Sequence, residues 1–201
     1  GRTFNTVIGY EQFNGLAQID GQFNAGLVAL FGGITEGRGT IASEAVFNFG
    51  AGIAPGGLLD IGTLTIDGDY VQLEDGALII NATRDRNVPV SDLLSVTGDA
   101  SLSGKLIVAP SARVRFGDAF TVLSADSVAG GFDDTLLVTL SPLLFAQSRI
   151  KGGDVIVNIN ARRLSDLFKG NPNLASLGAA LDKVSDAGKY INETIRAREN
   201  H

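Results

Sequence analysis

Short apolar runs, each four to six residues long and broken by glycine, aspartate or asparagine, succeed one another from residue 1 to about 160. They include residues 27–31 (LVALF), 63–66 (TLTI), 77–80 (ALII), 105–108 (KLIV), 120–123 (FTVL) and 154–159 (DVIVNI). Runs of this length, rich in Val, Ile, Leu, Thr and Phe and bounded by turn formers, predict β-strands. No helical period links them. The pattern changes after Asn171-Pro172-Asn173, a turn or helix-start signal. Apolar side chains then recur at Leu174, Leu177, Leu181, Val184, Ile191 and Ile195, with Gly188 filling the gap. Steps of three and four place them on one helical stripe. The expected helix runs from about 173 to 198, with Arg196 and Arg198 favouring its carboxy end.

The strands carry an imperfect internal repeat. Ile19-Asp20-Gly21-Gln22-Phe23 leads to Gly26-Leu27-Val28, and Ile66-Asp67-Gly68-Asp69-Tyr70 leads to Gly76-Ala77-Leu78. Val96-Thr97-Gly98-Asp99-Ala100 leads to Gly104-Lys105-Leu106. Degenerate units of this size predict stacked coils, each unable to bury its apolar face alone. An antiparallel sandwich stays open as the alternative, since Asp67-Gly68 and Asp75-Gly76 would each suit a hairpin turn.

Composition narrows the function classes. The 201 residues are 44% hydrophobic and only 19% charged, and they include 26 glycines and no Cys, Met or Trp. Without Cys there are no disulfides, thiol nucleophiles or Cys-ligated metals. A net charge of −6 disfavours nucleic acid as a partner. No signal peptide opens the sequence and no apolar run is long enough for a membrane-spanning helix. If exported, the chain is therefore expected to be a processed or trimmed piece. Residues 1–33 read as interior coils without a cap, which suggests a preceding segment.

Four blocks, in order and at fairly specific spacing, resemble the carboxy-terminal passenger region of bacterial autotransporters. The first runs from Gly37-Arg38-Gly39-Thr40-Ile41 through Ala54-Pro55-Gly56-Gly57 to Gly62-Thr63-Leu64-Thr65-Ile66-Asp67-Gly68-Asp69-Tyr70. The second is Ser91-Asp92-Leu93-Leu94-Ser95-Val96-Thr97-Gly98 with Leu102-Ser103-Gly104-Lys105-Leu106. The third is Gly117-Asp118-Ala119-Phe120-Thr121-Val122-Leu123 with Gly130-Gly131-Phe132. The last, Asn173-Leu174-Ala175 to Ala179-Ala180-Leu181-Asp182, is similar to the linker helix that precedes the barrel.

The resemblance implies an all-β fold, a right-handed parallel β-helix (solenoid) with a C-terminal α-helix. It implies β-helix coils over residues 1–57, an autochaperone-like cap over 58–162 and a helical linker or tail over 163–201. Phe116, Phe120, Phe132 and Phe145, with Leu94, Val96, Leu106 and Val108, would form the autochaperone core. The implied location is the bacterial cell surface, reached through periplasm and outer membrane in type V secretion. The implied partner is the protein's own outer-membrane β-barrel, with self-association or a host-surface or glycan ligand as further partners.

Several motifs with catalytic overtones have ordinary surface readings as well. His201, at the extreme terminus, is the only histidine, so a Ser-His-Asp triad in the folded body is excluded. Gly98 to Gly104-Lys105-Leu106 has one residue too many and no following helix for a phosphate loop. Ser148-Arg149-Ile150-Lys151 reads as strand, whereas Ser-x-x-Lys needs a helix. Asp133-Asp134 and Glu74-Asp75 read as solvated acids, with a two-carboxylate glycosidase site as the rival, and Arg84-Asp85-Arg86 reads as an exposed loop, with ligand contact as the lesser alternative. The expected function is that of a non-enzymatic stem without cofactor or metal. It would promote passenger folding and display an N-terminal effector or adhesin. The alternatives are a self-assembling surface module and a fragment of a carbohydrate-active passenger.

Overall fold

The computed structural model describes residues 3–5, 8–138, 141 and 143–184. The described chain is mostly β-strand, with helix only near its end. It divides into two compact units, Gly1–Leu140 with Ala146–Asn160, and Ser141–Phe145 with Ala161–His201.

The strands form two sheets. The main path of the larger runs Thr3–Asn5, Gln22–Asn24, Thr40–Asn48, Thr63–Gln72, Leu93–Val96, Ala119–Ser124, Asp154–Ala161 and Leu144–Lys151. The smaller runs Leu16–Gln18, Ile34–Gly37, Gly52–Pro55, Ala77–Asp85, Lys105–Pro110 and Asp134–Leu137. Successive strands of each sheet pair in parallel, because the chain visits the other sheet before returning. Antiparallel pairings occur as well. Val88–Ser91 folds back on Ala77–Asp85, and Asp154–Ala161 lies against Ala119–Ser124. The antiparallel sandwich is thereby excluded. Neither proposed hairpin forms, since Asp67-Gly68 lies inside the strand Thr63–Gln72, and Gly76 leads across to the other sheet.

Parallel register stacks like on like. Leu64, Leu94 and Leu123 are successive neighbours, as are Ile41, Ile66 and Val96. In the smaller sheet Ile53, Leu78 and Leu106 align, and Ile80 meets Val108. All of these side chains are buried. Each contributes about 1.5–3 kcal/mol by leaving water. Val28, Val46, Tyr70 and Ala100 are successive neighbours in another column, so the stretch of chain between stacked positions lengthens at each step.

The register corrects one of the three repeat units. Ile66 pairs with Val96, as their units require, but Ile41 and not Ile19 is the preceding neighbour. Ile19 instead accepts a bond from the backbone N–H of Gly39, at a bend between the sheets. Gly68 is required where it stands. Its φ is 143° and a Cβ there would lie 1.8 Å from the Ser43 carbonyl oxygen, at a bulge where Ser43 and Glu44 oppose one residue.

In the second unit a short helix, Leu164–Leu167, precedes a helix described over residues 172–184. Asn171 caps the longer helix, its Oδ1 accepting from the N–H groups of Asn173 and Leu174 at 3.2 and 3.3 Å, and Pro172 follows. Asp182 turns back to the short helix, accepting from the Leu164 and Ser165 N–H groups and the Ser165 hydroxyl. The hydroxyl bond chiefly holds the Asp182 carboxyl below its usual range. Gly178 allows the approach, since a Cβ there would stand 2.8 Å from the Leu164 carbonyl carbon.

Candidate functional site

The strongest organised feature is the buried stack itself and the polar groups that close its corners. Leu94, Val96, Leu106, Val108 and Phe120 are all buried in the first unit. The other aromatic positions differ. Phe132 is half-buried and borders a shallow hollow with Leu102, Gly131 and Ile150. Phe145 is half-buried in the second unit, where the Arg162 guanidinium sits 5.7 Å from its ring centroid. Phe116 is 48% exposed, so its assignment to the core is corrected. It lies in the turn before Ala119–Ser124, where strand alternation does not direct its ring inward.

Buried amides line one corner of the stack. Gln12, Leu30, Asn48 and Gln72 are successive register neighbours, and three of the four are polar. The Gln12 Oε1 accepts from the Thr35 hydroxyl at 2.9 Å, and its Nε2 donates to the Ile34 carbonyl at 3.2 Å. The Asn48 Oδ1 accepts from the Ala51 N–H at 2.8 Å. The Tyr70 hydroxyl donates to the Gln72 Oε1 at 2.8 Å, and Gln72 Nε2 donates to the carbonyls of Gly76, Ser103 and Lys105. These side chains add hydrogen bonds to backbone groups where the chain turns between sheets. Burial raises the Tyr70 hydroxyl pKa far above its ordinary value, so it stays protonated and donating.

Asp92 is a fully buried carboxylate. Its Oδ1 accepts from the Gly62 N–H at 2.8 Å, and its Oδ2 accepts from the backbone and side-chain nitrogens of Asn81 at 2.7 and 3.0 Å. Burial pushes its carboxyl up to about 6, against the pull of the Asn81 and Gly62 donors and the Arg38 charge. One side chain thus ties together the loop before Thr63–Gln72, the strand Ala77–Asp85 and the strand Leu93–Val96.

The motifs with catalytic overtones have other employment. Asp133 accepts from the Ser103 hydroxyl at 2.7 Å and from the Gly104 N–H, bonds that hold its carboxyl below the usual range. It clamps the turn beneath it. Gly104 has φ +68° and leads directly into the strand Lys105–Pro110, which is no phosphate-loop geometry. Ser148 and Lys151 share one strand at an odd separation, so they face opposite sides, and Ser148 meets the Thr135 hydroxyl at 2.9 Å. Glu74 and Asp75 are exposed beside Gly76. No group of three or more metal-ligating side chains occurs among the described residues, and His201 lies outside them.

The linker stripe lies open over its described part. Leu174, Leu177, Leu181 and Val184 are 42, 56, 49 and 71% exposed. Ile191 and Ile195, with the predicted continuation to residue 198, lie outside the described residues. No described helix is long and apolar enough to cross a membrane.

Sequence reasoning missed Asp92 and the amide corner. Val46-Phe47-Asn48 and Tyr70-Val71-Gln72 each end an apolar run on a carboxamide, and that recurrence was the available signal. Comparison of the chain with protein-family models and with curated proteins finds no match.

Proposed function

We propose that this chain is the non-enzymatic stem of an autotransporter passenger: its two sheets are successive faces of right-handed parallel β-helix coils, which fold outside the outer membrane and display what lies amino-terminal. The observation that carries the reading is the continuous parallel register of buried aliphatic columns, Leu64-Leu94-Leu123 and Ile53-Leu78-Leu106, with one visit to each sheet per interval. Such stacking makes stability nearly additive over neighbours, so a well-packed end can seed the rest without an external energy source. The reversal of Asp154–Ala161 against Ala119–Ser124 supports a cap at that end, because an antiparallel strand breaks the repeat. Engagement of Asp133 in a turn clamp favours a structural over a glycan-cleaving role.

The test places the chain between a signal peptide with an amino-terminal reporter and an outer-membrane barrel. The Leu94→Ala, Leu106→Ala double variant is expected to lower surface display of the reporter several-fold, while Phe116→Ala leaves it unchanged. Display that is indifferent to the double variant, in a protein shown by proteolysis to be unfolded, rejects the stem role. A second reading, self-association, is favoured by the open stripe of Leu174, Leu177, Leu181 and Val184. Light scattering that shows a concentration-dependent mass, abolished by Leu177→Glu, would select it.

A further inference from the structure

Two Arg-x-Arg segments stand at matching places in consecutive layers of the smaller sheet. Arg84-Asp85-Arg86 follows shortly after Ala82, and Arg113-Val114-Arg115 follows shortly after Pro110. Ala82 and Pro110 are register neighbours. The fold brings both segments to one hollow of about 420 Å³, lined by Arg84, Arg86, Asn87, Ala112, Arg113 and Arg115. Four of the chain's eleven arginines therefore face one concavity in a protein of net charge −6, and no carboxylate lines it.

The walls are built and held. One is the hairpin of Ala77–Asp85 and Val88–Ser91, the other the loop from Ser111 to Asp118. Arg84 is the anchor between them. It forms an ion pair with the buried Asp118 and donates to the Asn87 carbonyl, while Asp118 also accepts from the Arg115 N–H at 2.9 Å. The Arg84 Nε is buried and has no hydrogen-bond partner among the described residues. Asp118 thus offsets Arg84 alone. Arg86, Arg113 and Arg115 are exposed, and none has an ion pair among the described residues.

The hairpin tip adds an independent observation. Arg86 and Asn87 have φ of 44° and 74°, the left-handed pair of a two-residue hairpin turn in which Asn-Gly is preferred. An arginine at the first of these positions costs backbone strain that glycine would avoid, and such strain gathers at ligand-binding places. Like charges converging at an exposed hollow also repel unless an anion sits among them.

We propose that this hollow is a binding site for a compact phosphate or sulfate monoester group, held by the guanidinium forks of Arg86, Arg113 and Arg115 with Arg84 as the fixed floor. Guanidinium presents paired N–H donors that match two oxygens of a tetrahedral oxyanion. The volume is that of a small-ligand pocket rather than of a flat face for a membrane.

The full chain is titrated calorimetrically at low ionic strength with inorganic phosphate, glucose 6-phosphate and glucose, and separately mixed with phosphatidylglycerol vesicles. Binding of both phosphate-bearing probes with a Kd of about 0.1–1 mM, weakened by added salt, and no binding of glucose is the expected result. Tighter binding of glucose 6-phosphate than of phosphate assigns the group to a saccharide carrier, and equal binding assigns it to the free ion. Arg86→Gly is expected to weaken both more than tenfold while leaving the melting temperature unchanged or raised, and Arg113→Ala to weaken both without moving it. Absence of phosphate binding, full affinity in Arg86→Gly, or vesicle binding without any response to soluble phosphate each overturns the site.

Discussion

Residues 10–55 and residues 63–124 are both parallel-strand ladders, yet they spend their aromatic and aliphatic side chains differently. In the earlier region little chain separates stacked neighbours such as Leu30 and Asn48, which leaves little room inside. Phe13, Phe31 and Phe49 stack outside instead, with centroids 5.0 and 4.7 Å apart and near-parallel rings, all three exposed. In the later region more chain separates neighbours such as Leu64 and Leu94, and these two are fully buried, as are Leu78 and Leu106. External stacking keeps much of each ring in water, whereas an internal column removes the whole side chain. Stability should therefore concentrate between residues 63 and 124.

The largest expected effect is in the later columns. Leu94→Ala and Leu106→Ala should each destabilise by about 2–5 kcal/mol, measured by denaturant unfolding, since each opens a cavity that its neighbours cannot fill. Native-state hydrogen exchange should show the same order, with amides of 10–55 exchanging before those of 63–124. Slower exchange in the earlier region would erase the contrast.

Asp92→Asn comes next, at about 1–3 kcal/mol at pH 7, because an amide NH2 would face a backbone N–H of Gly62 or Asn81 in place of an acceptor. Its pH dependence has a definite sign. The folded carboxyl is raised to about 6 from an ordinary 3.8, so its contribution is greatest below pH 4 and declines as pH rises through about 6. The stability difference between wild type and Asp92→Asn should carry that slope. A flat difference between pH 4 and 7 would remove burial as the dominant influence on this group. Phe31→Ala should be the mildest, about 0.5–1.5 kcal/mol, as befits an exposed ring between two others. A loss equal to that of Leu94→Ala would show that the outer stack carries as much as the inner column.

The β-rich character and the helix start at Pro172 were legible because they rest on local pattern: short apolar runs, turn residues and a cap; the direction of pairing was not, since the same runs and turns suit an antiparallel sandwich. The pairing of Ile66 with Val96 was legible too, since both units keep the same order of residues. Ile19 misled because its Asp-Gly neighbours imitate that order while its backbone turns between sheets. Phe116 misled because an aromatic in a turn has no alternation to say which way it faces. Asp92 was invisible as a tie, since its partners are far away in sequence and only the register brings them together. The arginine hollow was half-legible: one Arg-x-Arg reads as a loop, and only the pairing of Ala82 with Pro110 joins two of them in one place.

The hairpin tipped by Arg86 and Asn87 also bears on how such a chain can change. It leaves the ladder at Ala82 and returns at Ser91, while Asn81 and Asp92 close its base with a hydrogen bond. Whatever length or chemistry the excursion acquires, the layers on either side keep their partners. Diversity can accumulate there by simple insertion, and a foreign peptide grafted between Arg86 and Asn87 would be presented on an unaltered frame.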